Sequence, residues 1–125
     1  MSIAHRCTAV AGIAIAIAVG VGQTHGQPLP SFSATCENVR ENADRLNPSS
    51  GELAVIEVTG ELLLAQSNGA LSYMGMCSSP APKVLCVTYE LDDHRVGDRV
   101  TIAGSYTRNS PDFITLDPCL HYPAK

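Results

Sequence analysis

Four cysteines, a pair of methionines, and a scatter of tyrosines, arginines and histidines are the residues of this chain whose types and spacing could do chemistry. Cys36, Cys77, Cys86 and Cys119 offer either two disulfides or a soft thiolate site. Spacing argues against the second reading. There is no Cys-x-x-Cys pair, and the gap between Cys77 and Cys86 fits no common zinc arrangement. Four cysteines allow three pairings. Cys77 and Cys86 flank one loop between neighbouring strands, which favours a bridge there and leaves Cys36 to join Cys119. On the chain-entropy model the short loop would contribute about 2.5 kcal/mol and the long one about 4.5 kcal/mol.

Met74-Gly75-Met76 sets two thioethers two residues apart, hence on one side of a strand, and soft sulfur ligands select Cu(I). His94 or His121 would supply an imidazole. The competing role for both methionines is to fill gaps in a core. Asp92-Asp93-His94 has the residue types for acid–base or divalent-metal work, but adjacent residues in a polar turn seldom converge on one ligand. Tyr73, Tyr89, Arg99, Tyr106 and Arg108 combine aromatic faces with guanidiniums, the types favoured at binding surfaces because they bury area and keep a polar handle. A phosphate-cradling glycine loop, a Gly-x-Ser-x-Gly elbow and a His-Glu-x-x-His pair are all absent from the sequence. No catalytic set and no cofactor are expected.

The chain has 125 residues, enough for one domain. Its start reads as a secretory signal peptide over residues 1–26. Arg6 lies in a short polar head, Cys7–Gly22 is an unbroken run of apolar and small residues, and Gln23–Gly26 is a polar exit. Cleavage is expected after Gly26, with Gly22 as the alternative. A membrane span needs roughly 20 apolar residues, more than this run supplies, so no span is expected once the leader is removed. The mature chain loses Arg6 and Cys7. It keeps seven of the eight basic residues, all twelve acids and an even set of four cysteines, which gives a net charge near −5. Disulfides suit an exported protein, in the periplasm or secreted, and the negative charge argues against nucleic acid as a partner. The expected partner is a protein or a small molecule.

Residues 27–50 read as an extended Pro-rich segment and a helix over Ser33–Leu46. Cys36, Val39, Ala43 and Leu46 form its apolar stripe, and Asn47-Pro48 stops it. Residues 51–125 read as strands. Glu52–Gln66 places Ala54, Ile56, Val58, Leu62 and Leu64 on one face, with a bend or bulge expected at Gly60. Ser67-Asn68-Gly69 signals a hairpin turn. Leu71–Cys77, Lys83–Leu91, Asp98–Tyr106 and Phe113–Tyr122 are the further strands, with Val100 and Ile102 inward and Pro118 confining the end of the last to an edge or bulge. The fold class is mainly β: a five-stranded barrel with one N-terminal α-helix, stapled by two disulfides.

The run Val96-Gly97-Asp98-Arg99-Val100-Thr101-Ile102-Ala103-Gly104, placed after three strands and before a last one, resembles the late part of OB-fold proteins. The bent first strand is similar too. The resemblance covers roughly residues 51–122 and implies an OB-like barrel, with the interstrand helix of many OB folds reduced to the turn Asp92–Gly97. It implies no single ligand. Three readings follow. The first is an exported, non-catalytic binding or interaction module using Tyr73, Tyr89, Arg99, Tyr106 and Arg108. The second is a periplasmic Cu(I) or Ag(I) carrier using Met74, Met76, His94 and His121, similar to small OB-barrel metal chaperones but lacking their tryptophan. The third is a small hydrolase or nuclease on the same barrel.

Overall fold

The computed structural model of the chain describes residues 12–15, 29–46 and 53–124. Most of the expected leader and the expected turn at residues 47–51 lie outside them. Among the described residues, no helix is long and apolar enough to cross a membrane. The elements run β1 (Phe32–Thr35), α1 (Val39–Arg45), β2 (Val55–Ser67), β3 (Ser72–Met76), β4 (Lys83–Thr88), β5 (Arg99–Ser110) and β6 (Phe113–Pro123).

Five strands close a barrel in the order β2–β3–β4–β6–β5 and back to β2. Only the β4–β6 contact within it is parallel. The closure works because β2 changes partner along its length. Val55–Glu61 pairs with β5, and Leu62–Ser67 pairs with β3. This leaves one edge of the first half of β2 open, and β1 fills it in parallel register, Phe32 against Ile56 through Thr35 against Thr59. The expected helix over Ser33–Leu46 is therefore corrected at its start. Residues 32–35 are a strand and helix begins at Val39, because Phe32 and Ala34 turn toward the core with the period of two that a strand needs.

The rest of the expected stripe holds. Val39 and Ala43 are sealed in the core, and Leu46 packs against it. The helix thus plugs one barrel end. Ile56, Val58, Leu62, Met74, Met76, Val84, Val100, Ile102, Ile114 and Leu116 fill the interior, each fully or almost fully buried. Burying side chains of this kind stabilises by roughly 1.5–3 kcal/mol each.

Two expectations about β2 are overturned together. Gly60 makes no bulge; it stays in register opposite Val100. A Cβ there would meet Cys36 Sγ at 3.1 Å and Met76 Sδ at 3.3 Å, so the missing side chain makes room for sulfur. The irregularity lies between Leu62 and Leu64. The extra residue reverses the alternation, so Leu64 lies on the outer face and Leu63 is half exposed. Leu64 lies across Gly75, where a Cβ would sit 3.0 Å from its own Cβ.

The disulfides are Cys36–Cys77 and Cys86–Cys119, with Cα atoms 5.3 and 5.4 Å apart. Both expected pairings, Cys77–Cys86 and Cys36–Cys119, are wrong. Cys77 lies just past β3 at the plugged end, whereas Cys86 is in mid-strand on β4 opposite Met74. A loop-flanking position did not bring the two together. Cys36 reaches Cys77 because β1 lies beside β2, and Cys119 reaches Cys86 because β6 lies beside β4, with Cys86 opposite Leu116.

Candidate functional site

A groove of about 670 Å³ where the plug meets the barrel gathers charged side chains of both signs. Its walls carry Glu37 and Arg40 from the plug, Glu61 from β2 and Arg99 from β5, and the Cys36–Cys77 bond lines it. Strand alternation puts Arg99 here. Val100 is buried, so its neighbour faces out, and register places Arg99 opposite Glu61. Arg40 follows the buried Val39 and so sits at the rim of the helix contact. Its guanidinium donates to the carbonyls of Pro80 (2.8 Å) and Pro111 (3.0 Å) and pairs with Asp112 at 2.6 Å.

Arg40 is thereby fixed and largely neutralised, whereas Arg99 has no ion-pair partner within 4.0 Å among the described residues. The Glu37 carboxyl is held below its ordinary range, chiefly by a hydrogen bond from the Thr35 side chain and then by its own backbone, with the charge of Arg99 adding to the effect. The groove therefore presents ionised groups of both signs around a small apolar floor that includes Gly60 and Ala81. Its volume lies within the roughly 300–1,000 Å³ of small-molecule sites.

The five residues expected to bind a ligand do not converge. Tyr73 is half-buried on the outer face of β3, opposite Val87. Tyr89 is exposed just past β4. Arg99 alone lines the groove. Tyr106 and Arg108 belong to the seating of α1. Arg108 Nη1 meets Asp44 at 2.6 Å and Nη2 donates to the Pro111 carbonyl at 3.1 Å. Burial pushes the Tyr106 phenol up, against the opposing charge of Arg108. Neither residue is left to meet a ligand from the groove.

The copper arrangement is not formed. Met74 and Met76 are 0% and 1% exposed, and both belong to the core, where Met76 Sδ lies against Gly60. A strand residue whose neighbours face solvent must itself face inward, and the bulge on β2 does not disturb β3. His94 and His121 instead pair with each other, ring centroids 5.0 Å apart and nearly perpendicular. His121 Nε2 donates to the Glu90 carbonyl at 2.6 Å, which assigns its tautomer and leaves Nδ1 buried without a partner. Asp92 lies 3.7 Å from that ring. Among the described residues, no three His, Cys, Asp or Glu side chains are grouped to hold a metal ion.

Glu37, Arg40 and Glu61 are the groove residues that sequence reasoning missed. Arg40 and Glu37 read as part of a solvated helix face, and nothing local distinguishes them. Only the approach of the loops carrying Pro80 and Asp112 does so. A search of protein-family models finds no match to this chain, and no curated protein matches it either. The groove's geometry is thus the basis for a functional reading.

Proposed function

We propose that this protein is an exported, non-catalytic binding module whose ligand is a small molecule carrying both a positive and a negative group. The observation that carries this reading is the mixed-charge groove, with an uncommitted Arg99 facing the Glu37 side of the plug. A zwitterion would match Arg99 with its anion and Glu37 or Glu61 with its cation through charge-assisted hydrogen bonds. Two disulfides in so small a chain fit an oxidising compartment, and the leader over residues 1–26 supplies the route to it. Periplasmic and secreted locations both follow from this reading.

The test is a titration of the 15N-labelled mature protein with a panel of free amino acids and dipeptides. The expected result is a set of saturable amide shifts at Glu61, Ser78 and Arg99, lost in Arg99→Ala. Shifts that gather on the outer face around Tyr73, or none across the panel, would remove the groove from consideration. N-terminal sequencing of the exported protein checks the leader, with Gln27 expected as the first residue.

A further inference from the structure

The two disulfides differ in their surroundings. Cys86 and Cys119 are 0% and 3% exposed and form part of the core. Cys77 is 6% exposed and also touches the core, but Cys36 is only partly buried, and both residues line the open groove. Cys77 holds a left-handed backbone, φ 69°, a region that residues with side chains rarely occupy. Its bond to Cys36 is one of the constraints that keep it there. The guanidinium of Arg99, which has no ion-pair partner among the described residues, lines the same groove and favours the approach of an anion.

We propose that Cys36–Cys77 is a thiol-exchange site, opened and re-formed by an external dithiol while Cys86–Cys119 stays closed. The chemistry balances with that reductant alone. A thiolate of the dithiol attacks Cys36 Sγ, the sulfur of the less buried cysteine. A new bond forms to Cys36, the Cys36–Cys77 bond breaks, and its electron pair leaves on Cys77 Sγ as thiolate. The second thiolate of the reagent then attacks its own sulfur in the mixed disulfide, and Cys36 departs as thiolate. One protein disulfide becomes two thiols, and the dithiol becomes a disulfide.

The scaffold explains why a dithiol is required. β1 and β3 are both anchored to β2, and they hold the Cα atoms of Cys36 and Cys77 5.3 Å apart. Cys77 is thus presented to the mixed disulfide at high effective concentration, so a monothiol is expelled before a second molecule can complete the reduction. The opened form stays folded, because Arg40 and Arg108 still fasten α1 to the loops carrying Pro80 and Pro111. The inference shares the groove with the proposed ligand but does not depend on that ligand.

The experiment uses the native protein with both bonds formed and contains no ligand, so it is independent of the binding titration. Dithiothreitol is added in graded amounts, with glutathione at equal thiol concentration in parallel. Alkylation and peptide mapping then follow each cysteine. Cys36 and Cys77 are expected to be labelled together, at least about tenfold faster than Cys86 and Cys119, with glutathione giving little net reduction. Urea below the unfolding midpoint should leave the Cys36–Cys77 rate flat while raising the other. One common rate for both bonds, or a Cys36–Cys77 rate that climbs with urea in step with the other, would overturn the proposal.

Discussion

Arg108 on β5 and Asp44 on α1 meet at 2.6 Å, and the arginine side chain is only 24% exposed. The pair ties the plug to the hairpin β5–β6, with the Pro111 carbonyl accepting a second bond from the same guanidinium. Arg108→Ala is expected to lower stability by about 1–2 kcal/mol, discounted for the exposure of Asp44, and Asp44→Asn by less. Urea denaturation of both variants checks the order. Ligand shifts at the groove should be unchanged in Asp44→Asn.

The glycines of the barrel are expected to rank by what surrounds them. Gly104→Ala drives a methyl into the Pro118 carbonyl and within 2.9 Å of Cys119 Cα, backbone atoms that cannot yield. Gly60→Ala meets only the sulfurs of Cys36 and Met76, which can shift by a few tenths of an ångström. The first substitution should cost about 3 kcal/mol or abolish folding, and the second about 1–2 kcal/mol. Melting temperatures of the two variants decide the ranking.

Two phenols set the alkaline limit. Tyr122 is pushed above 10.0 by burial first, then by the bond it donates to Glu57 at 2.9 Å and by that carboxylate's charge. Tyr106 is raised from the same value, mainly by burial. A phenol whose folded pKa exceeds its unfolded value binds its proton more tightly in the native state. Its contribution is complete below pH 10.0 and is lost as pH rises through the folded value. Stability should therefore fall above about pH 10, and less steeply in Tyr122→Phe. Urea midpoints measured up to about pH 11 read the slope, and the phenolate absorbance reads the titration.

The observed pairings change the stability expected from the disulfides. Their sequence separations are 41 and 33, close enough that loop closure contributes about 4 kcal/mol for each on the entropic model. The pairing expected from the sequence would have split these contributions unequally. Any difference between Cys36→Ala/Cys77→Ala and Cys86→Ala/Cys119→Ala therefore reports packing. The second variant should be the less stable, since it empties core volume around Met74 and Leu116. Calorimetry of the two double variants checks it.

The barrel was legible in the sequence because alternation is local. Val100 and Ile102 inward, Val39 and Ala43 on one stripe, and the turn at Asn68-Gly69 all depend on near neighbours. Gly69 indeed has positive φ, +92°. The bulge was not legible, because Leu62, Leu63 and Leu64 are identical in type and only the register with β3 shows which one is extra. The disulfide pairs and the groove were hidden for the same reason at longer range. Cys36, Arg40 and Arg99 acquire their roles from partners that local pattern does not reveal.

The plug also sets an order of events. β1 and α1 precede the barrel in the chain, yet the groups that seat α1 come much later. Arg40 reaches residues 40, 71 and 72 positions away, and Arg108 reaches back 64 positions to Asp44. β1 can pair with β2 as soon as that strand is made, but the side-chain contacts of α1 must wait until the last hairpin has formed. Contacts of such long separation slow folding, because the chain must be ordered before they reward it. The helix, made before the barrel, is fastened after it, and until then one end of the barrel stays open to water.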